Sequence, residues 1–118
     1  MTTSTFANLD RFHGTERYYS HWLGIKLTDG AFYLQENGAA WLVDAIASHQ
    51  TKKLLSDPML KAIQFWTLTV NPDNSALLRC DRDEGDTALT QEIPFTDFPL
   101  SEIKLYLVEK VLMLPSEY

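Results

Sequence analysis

The spacing of apolar residues changes near the middle of the chain. In the first half the apolar positions follow a helical period, whereas from Ile63 onward they alternate with polar ones, which is typical of half-buried strands. We therefore predict an α+β fold in which N-terminal helices pack on a four- to five-stranded antiparallel meander sheet. Because no repeat, linker or low-complexity tract divides the chain, residues 1–118 are expected to form a single domain.

A helix over 39 to about 51 is the strongest helical prediction. Its apolar side chains surround most of the axis, and only Asp44 and Ser48 form a polar wedge. A helix of this composition is normally buried. We therefore expect it to be the central helix, with His49 on an apolar part of its surface.

Shorter helices are predicted on either side. The stretch LTDG predicts a helix start capped by Thr28 or Asp29, and the helix over 30–37 should end at Gly38 in a left-handed conformation. The stretch STFANLDRFHG predicts another, capped by Ser4 or Thr5 and ending at Gly14. TERYYSHW favours a strand or a packed irregular segment, and Asp57-Pro58 should begin a helical turn in an exposed connection.

The second half contains alternating segments separated by the turn signals NPDN and RDEGD. Consecutive strands joined by short turns pair antiparallel, so these segments predict a meander. A single helix over 101–113 is the alternative for the last part. The predicted strands are QFWTLTV, SALLRCD, TALTQEIPF, SEIKLYLV and a short final VLML.

Several stretches resemble a family of small uncharacterised bacterial proteins that is known only as a domain of unknown function. They are FHGTERYYSHW, LTDGAFYLQENGAAWLVDAIASHQ, QFWTLTV, TDFPL and LPSEY, and together they span nearly the whole chain. The resemblance implies a bacterial or phage-related source. It implies no reaction and no catalytic residues.

Charge and composition exclude several classes of protein. The net charge of −6 and the absence of a cluster larger than Lys52-Lys53 argue against nucleic-acid binding. No stretch approaches the roughly 20 apolar residues of a membrane span, and the N-terminus lacks the charged and apolar regions of a signal peptide. With one cysteine, no intramolecular disulfide is possible. We expect a cytoplasmic protein that does not bind membranes.

The candidate site residues are polar groups in apolar surroundings and clustered aromatic rings. Buried carboxylates must be paired or titrate abnormally, which singles out Asp44, and aromatic residues with polar tips are common at interfaces and in pockets. His49 is also explained by a cap or a core hydrogen bond. The candidates are Tyr18, His21, Trp22, Asp29, Trp41, Asp44 and His49.

Metal and cysteine chemistry receive little support. No histidine pair has the helical spacing of a zinc motif, so a site would need distant segments to converge, such as His21 meeting His49. The run 81–92 resembles a calcium loop but lacks the required glycine at the sixth position, and its flanks predict strands. Cys80 is expected to be a buried apolar residue. We predict no metal and no cofactor.

Three functions remain open. The first is a non-enzymatic interaction module, which forms a homo-oligomer or binds a protein partner through aromatic residues of the first half. The second is a small enzyme or ligand-binding protein with a pocket near Asp44, His21 and His49. The third is an acidic inhibitor of a nucleic-acid enzyme, since the chain carries a net charge of −6.

Overall fold

The computed structural model describes Phe6 and residues 9–118. The described part of the chain has the predicted α+β architecture, with short helices packed on a single sheet. The helices are α1 (Asp29–Leu34), α2 (Ala40–Ser48), α3 (Lys52–Leu55) and α4 (Pro58–Ala62). The strands are β1 (Tyr19–Ser20), β2 (Lys26–Leu27), β3 (Ile63–Val70), β4 (Ala76–Asp83), β5 (Asp86–Ile93), β6 (Glu102–Val108) and β7 (Val111–Met113).

The sheet is larger than predicted and is mixed rather than purely antiparallel. Within the described residues it has seven strands in the order β1-β2-β7-β6-β3-β4-β5. The expected antiparallel pairs β3–β4, β4–β5 and β6–β7 are present. The prediction of four to five antiparallel strands was wrong because β1 and β2 extend the sheet and β2 runs parallel to β7. A strand of two residues is too short to show a period in the sequence.

The last part of the sheet is a hairpin, so the alternative of a helix over 101–113 was wrong. Ile103, Leu105 and Leu107 are buried along β6, whereas Lys104 between them is exposed. Glu109 and Lys110, both with positive φ, form the turn after which β7 pairs antiparallel with β6. The period of two was therefore the reliable signal.

The core lies between the inner face of the sheet and α1 and α2. On that face Trp66 is paired with Cys80 on β4 and with Leu105 on β6, and all three side chains are at most 1% exposed. Such rows of cross-strand neighbours are the units that stabilise a sheet. They also align the strands in one register, because a slip by one residue would turn these side chains to the opposite face.

The two helices that cover this face are separated by a kink. Thr28 caps α1 by accepting a hydrogen bond from the amide of Ala31, as LTDG predicts. Gly38 has a φ of 106°, the predicted left-handed conformation, but α2 begins again two residues later. Leu42 and Ile46 of α2 are fully buried whereas Ala40 is exposed, so this helix is buried on one side only.

Only part of the predicted N-terminal helix falls within the described residues. Its expected caps, Ser4 and Thr5, lie outside the described residues. The described part of that segment forms one tight turn over Leu9–Arg11. By contrast, Asp57 and Pro58 begin α4 as predicted, because the Asp57 carboxylate accepts a hydrogen bond from the amide of Met59.

The C-terminal residues are attached to the start of α1. The Glu117 carboxylate accepts hydrogen bonds from the Thr28 hydroxyl at 2.7 Å, the Gly30 amide at 3.0 Å and the Leu114 amide at 3.0 Å. A negative charge beside the free amides of a helix N-terminus is stabilising. The motifs LTDG and LPSEY are therefore two halves of one structural contact.

Candidate functional site

A tight turn between β1 and β2 positions the first candidate residues. The amide of His21 donates to the carbonyl of Ile25 at 2.8 Å, and the amide of Gly24 donates to the carbonyl of His21 at 3.0 Å. Gly24 has a φ of 94°, which only glycine adopts without strain. The turn directs the His21 side chain inward and the Trp22 side chain outward.

Both ring nitrogens of His21 are engaged. Its Nδ1 accepts a hydrogen bond from the amide of Leu23 at 3.0 Å, so the hydrogen of the neutral ring must be on Nε2. Nε2 then donates to Oδ1 of Asp44 at 2.7 Å. The His21 side chain is 1% exposed, whereas that of Asp44 is 43% exposed. A buried imidazole therefore holds a carboxylate at the surface.

The same carboxylate oxygen orients an exposed tryptophan. The indole Nε1 of Trp22 donates to Oδ1 of Asp44 at 3.3 Å, and the indole stacks beside the His21 ring with centroids 5.8 Å apart. Trp22 is nevertheless 77% exposed. Tyr18 and Leu23, four residues before and one residue after Trp22 in the chain, are 61% and 37% exposed. We call Tyr18, Trp22 and Leu23, with Asp44 at their border, the aromatic patch.

The geometry engages His21 fully and leaves one oxygen of Asp44 without a partner among the described residues. A general base needs a free lone pair within hydrogen-bond reach of its substrate, and both nitrogens of His21 already have protein partners. The second oxygen of Asp44 makes no hydrogen bond to the described residues. The arrangement can therefore accept a donor or a cation beside Trp22.

Asp29 begins α1 and Trp41 lies on α2. The Asp29 carboxylate accepts a hydrogen bond from the amide of Glu16 at 3.1 Å. Partial burial and the neighbouring Asp29 carboxylate raise the pKa of the Tyr19 phenol, whose ring stacks on Phe32 at 3.9 Å between centroids. Trp41 is half-buried against the core. Asp29 therefore supports β1 and the start of α1, and Trp41 contributes to the margin of the core.

His49 lies away from His21, near the other edge of the sheet. It is the residue that ends α2, its Nε2 is 2.7 Å from Oε1 of Gln91 on β5, and its ring stacks on Trp66 with centroids 5.7 Å apart. β5 and β1 are the two edge strands. The structure therefore joins His21, Trp22 and Asp44, but it does not bring His49 to them.

Metal-binding groups do not converge in the described part of the chain. No three His, Cys, Asp or Glu side chains there could hold one ion. The run 81–92 forms the predicted hairpin, in which Asp81 pairs with Arg79 at 3.1 Å and Asp86 with Arg82 at 3.1 Å. Burial, with a further contribution from the charge of Asp81, raises the pKa of the Cys80 thiol to about 12, so it is a poor nucleophile at neutral pH.

Sequence reasoning missed two sets of residues that the tertiary structure brings together. Glu117 could have been suspected only from the LPSEY motif. Three lysines, Lys52, Lys61 and Lys110, surround a pocket between α3, α4 and the β6–β7 turn. They come from separate elements, and the sequence signal was limited to the Lys52-Lys53 pair.

Comparison with known proteins identifies a family but no activity. No curated protein and no solved structure matches the chain. None of the helices in the described residues is long and apolar enough to span a membrane. The model of a family of unknown function, DUF6876, matches residues 3–118. The predicted resemblance to a family of unknown function is confirmed, and the chain belongs to the DUF6876 family.

Proposed function

We propose that this protein is a non-enzymatic protein-binding module and that the aromatic patch is its recognition surface. The observation that carries the proposal is the state of Trp22, which is 77% exposed and yet held by Asp44. Tryptophan is enriched among the residues that dominate binding energy. A side chain already ordered by a hydrogen bond loses less conformational freedom when it binds.

The chemistry of the patch favours a partner that presents arginine or lysine. The indole face attracts cations, and the free oxygen of Asp44 lies at the border of the same patch. The net charge of −6 also attracts a basic partner and opposes self-association at low salt. A homo-oligomer, which the sequence analysis also favoured, is the alternative occupant of the patch.

The other two functions have weaker support. His21 has no free nitrogen for acid–base chemistry, and His49 is bound to a different edge strand. For an acidic inhibitor, the densest acidic run should face solvent as a phosphate-like row, but two of its carboxylates are paired with Arg79 and Arg82. We further propose a cytoplasmic location, since the one cysteine is a buried free thiol, and a bacterial source, as the resemblance in the sequence implies.

The proposal is tested by comparing Trp22→Ala and Asp44→Asn with Phe95→Ala. Phe95 is 68% exposed and lies two residues after the end of β5, so it matches Trp22 as an exposed aromatic residue on another part of the surface. Asp44→Asn keeps an oxygen that can accept hydrogen bonds but removes the charge. Each variant is immobilised at equal loading and incubated with bacterial lysate. The proteins that it retains are then quantified by mass spectrometry.

We expect a basic partner that is retained by the wild type and Phe95→Ala and is reduced about tenfold or more with Trp22→Ala, as for a dominant interface residue. Asp44→Asn should reduce the amount of partner retained and should make that amount less sensitive to salt concentration. Sedimentation velocity of the purified wild type should show a monomer. Identical retention by Trp22→Ala, or a dimer that Trp22→Ala dissociates, would overturn binding of a basic partner.

A further inference from the structure

A second surface feature, separate from the aromatic patch, is a pocket of about 780 Å³. It lies between α3, α4 and the turn that joins β6 to β7. Leu55 and Pro58 present apolar surface to the pocket, whereas Leu60 and Leu107 are only 3% and 2% exposed and lie at its base. Pockets of roughly 300–1,000 Å³ with mainly apolar walls are typical of small-molecule sites.

The rim of this pocket is positively charged. Lys52 comes from α3, Lys61 from α4 and Lys110 from the β6–β7 turn, and Glu109 is the one acidic residue in the lining. None of the three lysines forms an ion pair or side-chain hydrogen bond with another described residue. Three of the six lysines of an acidic chain therefore line one concave surface, and none has a side-chain partner among the described residues.

This convergence creates a local positive potential. The potentials of like charges around a concave, apolar wall add up, because the wall has a low dielectric constant and focuses the field. The isolated ammonium groups can each donate three hydrogen bonds. An anion between them would remove their mutual repulsion and accept those bonds.

Gln64 lies at the floor of the pocket, and its side-chain amide is fully hydrogen-bonded to other described residues. Gln64 is 1% exposed, and its amide nitrogen donates to Oε1 of Gln50 at 2.7 Å and to the carbonyl of Leu60 at 3.0 Å. Its Oε1 accepts from Nε2 of Gln50 and Nε1 of Trp66, both at 2.9 Å. A ligand must therefore be recognised through the charged rim and the apolar walls.

The turn that carries Lys110 is held in place despite an unfavourable backbone. Glu109 and Lys110 have φ values of 48° and 67°, a left-handed conformation that non-glycine residues seldom adopt. The amide of Glu109 donates to the carbonyl of Ala62 at 3.1 Å, and the amide of Lys26 donates to the carbonyl of Lys110 at 2.9 Å. The first bond anchors the turn to α4 and the second to β2, and Lys110 lines the same pocket as Lys61.

We infer that this pocket binds a small amphipathic anion, with a phosphate or carboxylate group between Lys52, Lys61 and Lys110 and an apolar body against Leu55 and Pro58. The inference does not depend on the aromatic patch. It assigns a ligand class to a site that lies apart from the proposed protein-binding surface.

The ligand class is tested with four probes of known chemistry. Decyl phosphate and decanoate carry both parts, inorganic phosphate carries only the charge, and decanol carries only the apolar chain. Isothermal titration calorimetry below the micelle concentration gives affinity and stoichiometry, and amide chemical-shift changes in NMR locate the site. We expect one-to-one binding of decyl phosphate or decanoate, with shifts at the pocket and not at Trp22.

Charge substitutions test the role of the rim. Lys52→Glu and Lys61→Glu should each weaken binding of the better anionic probe by about fivefold or more, because each replaces an attraction with a repulsion. Lys53→Glu is the matched control, since Lys53 is the exposed neighbour of Lys52 on α3 but does not line this pocket. Circular dichroism checks that each variant is folded.

Any of four results would overturn the inference. Decanol that binds as tightly as decanoate would remove the role of the charge, and inorganic phosphate that binds as tightly as decyl phosphate would remove the role of the apolar walls. An equal loss with Lys53→Glu would show that only net charge matters. The absence of saturable binding by all four probes would also overturn it.

Discussion

At the residue scale, the histidines show how much depends on neighbours. His49 lies on the apolar side of α2, where its ring stacks on Trp66 and bonds to Gln91 at the margin of the core. His21 is more deeply buried, but it hydrogen-bonds to Asp44, and Asp44 in turn orients the exposed Trp22. The residue that was less conspicuous in the sequence is therefore the one connected to a candidate recognition surface.

Asp57 leads to a prediction about pH at the same scale. Its hydrogen bond with Arg82, at 2.6 Å, holds the pKa of the Asp57 carboxyl below its usual value of 3.8. A lowered pKa in the folded state contributes stability above the unfolded pKa, and this contribution is lost as the pH falls through the folded value. Asp57→Asn should therefore reduce stability at pH 7, and the difference from wild type should shrink below about pH 4.

Urea denaturation of wild type and Asp57→Asn at several pH values between 3 and 7 measures this effect. Asparagine also caps helices well, so the substitution removes mainly the charge. Asp97→Asn is the control, because Asp97 is exposed and forms no hydrogen bond with the described residues. A difference between wild type and Asp57→Asn that stays constant across the pH range would contradict the prediction.

At the scale of elements, the start of α1 and the C-terminal turn act as one unit. Gly30 is buried in α1, and a Cβ there would lie 2.6 Å from Cδ1 of Leu114 and even closer to the Glu117 carboxylate. Alanine in a helix interior is usually favoured over glycine by roughly 0.5–1 kcal/mol. Here the contact should reverse that preference, and Gly30→Ala should destabilise the protein by about 1–3 kcal/mol.

Thermal and urea denaturation of Gly30→Ala measure this loss. Gly14→Ala is the matched control, since nothing lies within 4 Å of the position of its Cβ, and its stability should be within about 0.5 kcal/mol of wild type. If Gly30→Ala were as stable as Gly14→Ala, the close packing of Glu117 against α1 would be disproved.

At the scale of the whole molecule, stability should be uneven across the sheet. β3 is paired on both sides, with β4 and β6, whereas β1 and β2 each contribute only two residues. Segments with few paired and buried groups open locally at low cost. We expect the amides of Trp66 and Leu68 to exchange with solvent only on global unfolding, and those of Ser20 and Lys26 to exchange much faster.

Hydrogen exchange followed by NMR tests this ordering. The exchange free energies of Trp66 and Leu68 should equal the free energy of unfolding from urea titration, and those of β1 should be lower. Equal protection of β1 and β3 would show instead that the aromatic patch and the core unfold as one cooperative unit. In that case the patch would be as rigid as the central strands.

Local patterns in the sequence determined the class of the fold and much of its detail. The alternation from Ile63 onward defines which residues of β3 and β6 face the core, since side chains in a strand alternate sides. Thr28, Asp57 and Gly38 take the cap and turn roles predicted for them, because those roles depend on backbone groups only a few residues away. The resemblance to a family of unknown function was likewise drawn from the sequence, and the family model matches residues 3–118.

Tertiary structure alone decided the features that carry the proposals. The hydrogen bond from Thr28 to Glu117 spans 89 residues and the contact between His21 and Asp44 spans 23. Likewise, the parallel pairing of β2 with β7 joins the two ends of the chain. Periodicity and capping preferences depend on residues that are close in the sequence. They carry no information about contacts between residues so far apart. The aromatic patch and the lysine rim therefore arise from chain packing, which brings together groups that have no recognisable spacing in the sequence.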